Sequence, residues 1–332
     1  MVAVKKNIVV IGGGTGSFVV LSGLKEFPLN LTAIVAVTDD GGSTGRLRDE
    51  FGFLPAGDMR QCIAALAVGD GEPDLTQKLL LYRFSKGKGL EGHNLGNLIL
   101  TALEDIAGSE SRGLEYASKI FRLKGKVMPI SLKLVKLVAT YKSGKKIISE
   151  KKIEEHRLKK DDGIIKLSTI PKAEINTKAK NAILQADAIV LGPGDLFAST
   201  IANLIFEGAK ETIKKSKAMI IDIVNLMTTY YQTEGFTARD HVRTLENYLG
   251  REVDYILLNK TKPPQKILQI YENSGEHVVK DDLKNDKRVK RLDLLSPKMT
   301  VKPKGDKLKR SLLRHDPHKV AHAILNILWE TS

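Results

Sequence analysis

NIVVIGGGTG, Asn7 to Gly16, is the stretch on which the fold turns. Five residues of strand character, Asn7 to Ile11, run into three consecutive glycines, a threonine and a fourth glycine. Behind them Ser17 to Phe27 is mostly apolar, with Phe18, Leu21 and Leu24 at helical spacing. A buried strand, a glycine turn and a helix opening on free N–H groups together make an anion site. The backbone approaches a phosphate closely where no Cβ intervenes, and the helix start favours negative charge. Read as G-x-G-x-x-G, the motif is Gly12, Gly14 and then Ser17, so its third glycine is missing; such turns also occur with nothing bound.

The echo at VTDDGGSTG, Val37 to Gly45, adds weight. Leu31 to Val37 reads as a second buried strand, ending in Thr38, Asp39 and Asp40. In a dinucleotide-binding unit the acid closing the second strand takes the ribose hydroxyls, and Asp39 or Asp40 stands roughly there. A second glycine turn follows at once, Gly41 and Gly42, with Ser43, Thr44 and Arg46. Two adjacent glycine turns with acids, hydroxyls and an arginine suit a nucleotide-linked ligand.

A chain of 332 residues, 42% apolar and 28% charged, matches an ordinary soluble α/β protein of one large or two smaller units. No apolar run is long enough for a bilayer, and the apolar N-terminus is already the first strand, so neither a membrane span nor a signal peptide is expected. Cys62 is the only cysteine; it fits a reducing cytoplasm and a small core position. The net charge of +14 is dispersed lysine, except for Lys280 to Arg310 with 12 Lys/Arg against 5 Asp. Without a helix-turn-helix, an RNP-type sequence or a zinc-finger spacing, that charge reads as solvated surface or attraction of phosphorylated ligands, and nucleic acid is not expected.

Along the chain, Asp58 precedes a helix over Met59 to Val68, as its N-cap or as a ligand-facing acid. Leu75 to Phe84 is helical. Next, Leu95, Leu98, Ile99, Ala102, Leu103 and Ile106 form an apolar helical stripe, with His93, Asn94 and Asn97 clustered at its start. Residues 124–169 alternate apolar and polar around Ser143-Gly144, a small β-rich insert that gives a cleft one wall but carries no catalytic cluster. The rest, residues 1–123 and 170–332, forms the Rossmann-like core. Its second part continues as helix Thr177 to Gln185, strand Asp187 to Leu191, the turn of Gly192, Gly194 and Asp195, and a helix bearing Ser199, Thr200 and Asn203. Strand Ala218 to Val224, helix Thr237 to Leu249, strand Val253 to Leu258, helix Pro264 to Asn273 and strand His277 to Val279 follow. Asp316 caps a last helix beginning at Pro317, with Arg314 and His315 just before it.

This alternation predicts an α/β fold, a doubly wound and mostly parallel sheet with helices on both faces. Ligands of such sheets lie beyond the carboxyl ends of the strands, so the loops at 12–17, 38–46, 192–203 and 225–240 should converge on one cleft.

GGGTGS, TDDGGSTGRLRDEFG, PAGDMRQCIAAL, GHNLGNLIL, LGPGDLFASTIANL and RHDPHK, in this order, resemble the gluconeogenesis factor (YvcK) family, related to 2-phospho-L-lactate transferase (CofD). The resemblance spans essentially the whole chain. It implies a cytoplasmic, Rossmann-type regulator that binds UDP-N-acetylglucosamine, with NAD(P) as a second ligand in some members. It also implies a link to cell-wall precursor supply and to cell shape on gluconeogenic carbon sources, no required cofactor and no established reaction. A protein partner in cell-wall precursor synthesis and a homo-oligomer are both compatible with it. The ligand is implied at Gly13, Gly14 and Thr15, at Asp39, Asp40, Gly41, Gly42 and Ser43, at Gly192, Gly194 and Asp195, at Asn203 and at Arg314, whose planar fork suits a diphosphate. Asn94 and Asn97 join this set from their place at a helix start. YYQTEGFT departs from the family pattern, where a proline commonly precedes the acid, and the lysine-rich 280–310 stretch is idiosyncratic. The alternative is a CofD-like transferase, in which Asp39, Asp40 or Asp58 would hold Mg²⁺ against developing phosphate charge. A nicotinamide dehydrogenase is disfavoured, since the dinucleotide signature is imperfect and only His93 stands out as a proton donor.

Overall fold

The computed structural model describes residues 5–68, 75–157, 162–298 and 311–330. The acidic stretch 69–74 and the end of the lysine-rich stretch, 299–310, lie outside them. In chain order the elements are β1 (Asn7–Ile11), α1 (Gly14–Leu24), β2 (Asn30–Val35), α2 (Gly42–Phe51), α3 (Ala56–Leu66), α4 (Leu75–Leu81), α5 (Leu95–Ala107), α6 (Glu110–Ile120) and β3 (Lys126–Pro129). Then come β4 (Lys136–Tyr141), β5 (Lys146–Ile148), α7 (Glu150–Glu155), β6 (Ile164–Ile170), α8 (Thr177–Leu184), β7 (Ala188–Leu191), α9 (Ala209–Lys215), β8 (Met219–Ile223), α10 (Ala238–Leu249), β9 (Tyr255–Asn259), α11 (Gln265–Glu272), β10 (Val289–Leu292) and α12 (Pro317–Glu330).

Seven strands form a parallel sheet in the order β10-β9-β8-β7-β1-β2-β3. β1 is an interior strand next to β7, and both its faces are apolar. Ile8 and Val10 join one core with α1, α3 and α12, while Val9 and Ile11 join the other beneath the small sheet and α8 to α10. Such near-continuous apolar strands mark a sheet covered on both faces. The chain leaves β1 in one direction through β2 and β3 and fills the other side from β7 outward, so a switch point opens at the carboxyl ends of β1 and β7.

The small sheet is antiparallel, β5-β4-β6, and α7 leads from it back over the cleft. The first strand of the 124–169 stretch, Lys126–Pro129, joins the large sheet beside β2, and the small sheet begins only at Lys136.

Three local readings are corrected. His277 to Val279 is no strand: Val278 makes a single bridge with Met227, and the outer strand is Val289–Leu292. After Asp195 the chain takes a wide π-type turn, Leu196–Thr200, and a tight one, Ile201–Asn203, instead of a regular helix. The apolar stripe of α5 does not face inward as a unit. Ile106 is 74% exposed, whereas the buried face is Gly96, Asn97, Leu100 and Thr101. A Cβ at Gly96 would meet Leu80 O at 2.4 Å, so α5 lies with its glycine and polar side against α3 and α4.

Candidate functional site

The four polar loops meet at the switch point around a cleft of about 560 Å³. The first glycine turn enters α1 through Gly13 in extended conformation and Gly14 at φ +59°. Its partner is Asp58. α3 starts at Ala56, two residues before that acid, so Asp58 lies inside the first turn and does not cap it. Gly14 N–H donates to Asp58 Oδ1 at 2.8 Å, and a Cβ at Gly13 would stand 1.8 Å from Asp58 Oδ2. The glycines thus admit a carboxylate of the protein's own where an anion is expected. Burial, with Asp39 and Asp195 nearby, pushes the Asp58 carboxyl up to about 7.

The second turn is built the same way. Gly41 N–H donates to Asp39 Oδ1 at 2.9 Å, and α2 begins at Gly42 with φ +51°. Gly57 leaves room for the neighbours: a Cβ there would be 2.7 Å from both Asp39 Oδ2 and Thr44 Oγ1. Burial raises Asp39, against the lowering effect of the Gly41 N–H and the Thr44 hydroxyl. The start of α5 supports this turn from below. Asn94 caps α5, its side chain accepting from Asn97 N–H, while its own N–H donates to Ser43 Oγ at 3.2 Å. Asn97 Nδ2 donates to Thr44 Oγ1 at 3.3 Å, and Asn97 Oδ1 accepts from Arg60 Nε at 2.8 Å. His93 Nδ1 lies 3.3 Å from Ser43 Oγ. Burial, Arg46 and Arg83 hold its pKa below the ordinary value.

The third turn packs on the first. A Cβ at Gly16 would overlap Pro193 O at 1.6 Å, so only glycine lets the two loops touch. Asn225 clamps Gly194 both ways, accepting from its N–H at 2.9 Å and donating to its carbonyl at 2.6 Å. Asp195 accepts from the Tyr231 hydroxyl at 2.6 Å; burial still raises its carboxyl.

The small sheet contributes what sequence reasoning missed. Thr38 Oγ1 donates to Glu150 at 2.5 Å, and Ser149 Oγ and Lys151 N–H both donate to Asp40 Oδ1 at 3.0 Å. These bonds lay α7 across the cleft and turn Glu150 and Glu154 inward. Burial, then the surrounding acids, raises Glu150 well above the usual range and pushes Glu154 up to about 8. The 124–169 stretch, expected to give the cleft one wall but no catalytic cluster, lends two carboxylates to the ring of Asp39, Asp58 and Asp195. Against them stand Arg60, Arg83, Lys151 and Arg314.

Gly13, Gly14, Thr15, Asp39, Gly41, Gly42, Ser43, Asn97, Gly194, Asp195 and Arg314 line this space. Four other expected residues do not. Asp40 is spent on α7, Asn94 on capping, Gly192 lies behind the turn with its Cβ position against Ile223 O, and Asn203 is fully buried with Nδ2 donating to Ser199 O. Among the described residues no three histidines, cysteines or acids are placed to hold a metal ion.

A doubly wound sheet with glycine turns and an acid-ringed cleft at its switch point defines an α/β protein of Rossmann-like fold. The family model of 2-phospho-L-lactate transferase CofD matches residues 8–298. A gluconeogenesis factor of Bacillus subtilis is 36% identical, covering 98% of this chain and 99% of its own. A Thermotoga maritima relative, provisionally given the same name, is 39% identical over 97% of this chain and 99% of its own. The crystal structure of a UPF0052 family member from Bacillus halodurans superposes with a TM-score of 0.86 at 36% identity, covering 97% of this chain and 99% of the other. The chain belongs to the gluconeogenesis factor family, which carries the CofD fold.

Proposed function

We propose that the cleft binds a nucleotide-sugar, UDP-N-acetylglucosamine, and that the protein acts as a cytoplasmic regulator linked to cell-wall precursor supply and cell shape on gluconeogenic carbon sources. The observation that carries this reading is the division of the cleft. Glycine turns and the cations Arg60, Arg83, Lys151 and Arg314 provide for phosphates, while the carboxylates on α7, α3 and the third turn provide acceptors for sugar hydroxyls. A cleft of about 560 Å³ lies in the range of small-molecule sites. Titration calorimetry against UDP-N-acetylglucosamine, UDP, GDP and NADP tests it. The sugar nucleotide should bind tightest, and an absence of heat with all four would refute the reading.

The carboxylate ring favours a second reading, a CofD-like transferase. Asp39 and Asp58 would hold Mg²⁺, with ligand phosphate oxygens completing its shell, because the described residues alone supply no three-residue set. The ion would supply charge neutralisation for a departing phosphate. Asp40 is removed from that role by its bonds to α7. Mg²⁺-dependent release of a nucleoside phosphate would establish this reading over the regulator.

A further inference from the structure

We propose that His315 is a ligand-reading residue of the cleft, contacting an uncharged amide, imide or hydroxyl edge of the bound molecule beyond its phosphates. This rests on the nucleotide-sugar reading and deepens it. The backbone holds the residue firmly: Ser296 N–H donates to Arg314 O at 2.9 Å, Asp316 N–H donates to Leu294 O at 2.8 Å, and His315 bridges Leu295 between them. The side chain is 4% exposed and lines the cleft. Neither ring nitrogen makes a hydrogen bond to a described residue, and Nε2 is shut off from solvent without a partner. Buried polar groups are nearly always satisfied, so an orphan in a residue of the cleft wall points to a partner met when that wall packs onto the ligand. His241 is equally buried and its Nε2 also lacks a partner, but its Nδ1 is bonded to Thr237 O and it lies away from the cleft, so it is the place in the cleft wall that singles out His315.

The surroundings set the kind of partner. On this wall the Tyr271 hydroxyl already accepts from Leu312 N–H and Leu313 N–H, and Leu226, Met227 and Leu313 are apolar. Burial holds the His315 imidazole down at about 4, so the ring is neutral at physiological pH. A neutral ring offers one donor and one acceptor and no charge for a phosphate. His315 and Arg314, adjacent in sequence, therefore read different parts of one molecule.

The test compares wild type, His315→Phe and His315→Gln, with UDP-N-acetylglucosamine and inorganic pyrophosphate as probes. His315→Phe should bind the sugar nucleotide about tenfold or more weakly, as expected for one lost hydrogen bond. Pyrophosphate should compete as before, and the ligand-free thermal midpoint should not fall. His315→Gln should recover part of the affinity. Ring ¹⁵N shifts of His315 in the wild type give a readout that needs no variant to fold; they should move with the sugar nucleotide and not with pyrophosphate. Unchanged shifts, wild-type affinity in His315→Phe, or an equal loss for both probes would each overturn the assignment while leaving the nucleotide-sugar site standing. A wild type that binds no UDP-N-acetylglucosamine overturns both.

Discussion

Asp58→Asn is the most informative single perturbation, because its effect on stability has a sign that depends on pH. The Asp58 carboxyl ordinarily titrates near 3.8 and in the folded protein near about 7. Its pKa is raised on folding, so the stability it contributes is complete below the ordinary value and is lost as pH rises through the folded one. At about 1.36 kcal/mol per pH unit the gap corresponds to roughly 4 kcal/mol as an upper bound, and partial solvent access reduces it to roughly 1–3 kcal/mol. Asparagine keeps an oxygen to accept from Gly14 N–H and never ionises. In chelator-treated, low-salt buffer the variant should match wild type within about 0.5 kcal/mol at pH 3, below the ordinary carboxyl value, an ordinary margin for a mild substitution. At pH 8.5 it should be more stable by roughly 1–3 kcal/mol, read from urea unfolding midpoints. An Asp58→Asn protein less stable than wild type at pH 8.5, or shifted equally at both pH values, would refute the reasoning. It would mean that the carboxylate is held as an anion by something stronger than the repulsion around it.

Other outcomes follow from the same geometry. Arg314→Ala should weaken UDP-N-acetylglucosamine binding by about 1.5–3 kcal/mol, with Arg314→Lys recovering only part, checked by calorimetry; wild-type affinity would remove Arg314 from the site. Gly16→Ala should cost more than about 3 kcal/mol or prevent soluble expression, since its Cβ would sit 1.6 Å from Pro193 O; a normal thermal midpoint would contradict the described contact. Glu154→Gln should raise thermal stability at pH 9 and leave pH 3.5 unchanged, because the stability tied to a carboxyl pushed up to about 8 is complete only below its ordinary value of 4.5 and is lost as pH rises through the folded one.

Much of this molecule was legible in its sequence because strand, turn and helix agree locally. Asn7–Ile11 coincides with the prediction, and the loops after β1, β2, β7 and β8 meet where doubly wound topology requires. Glu150 and Glu154 were not legible. They sit in EKKIEEH, a charged run in which nothing local marks which carboxylates turn inward; the bonds from Thr38 and to Asp40 decide it, and both span more than 100 residues. The α5 stripe misled for a related reason. Its helix is oriented by the demand of Arg60 for Asn97 and by the close approach at Gly96, so hydrogen bonding and backbone contact outweighed the apolar periodicity. Asp58 read equally as a cap because a helix beginning at Ala56 has no polar residue at its start to announce it.

The place of β1 inside the sheet has a consequence for how the chain comes to be folded. β1 finds β2 at once, but its other neighbour, β7, begins at Ala188, and the cover of α1, α12, begins only at Pro317. At about 5–20 residues per second of synthesis, the apolar face of α1 waits roughly 15–60 s for α12 to emerge. Until then the growing chain carries an open strand edge and a helix covered by α3 on one side only, the two features that invite wrong pairing. Contacts so distant in sequence also slow the final closure, since loop entropy is lost before they form. The strand that organises the finished molecule is the first made, yet its second neighbour comes only after more than half of the chain has followed.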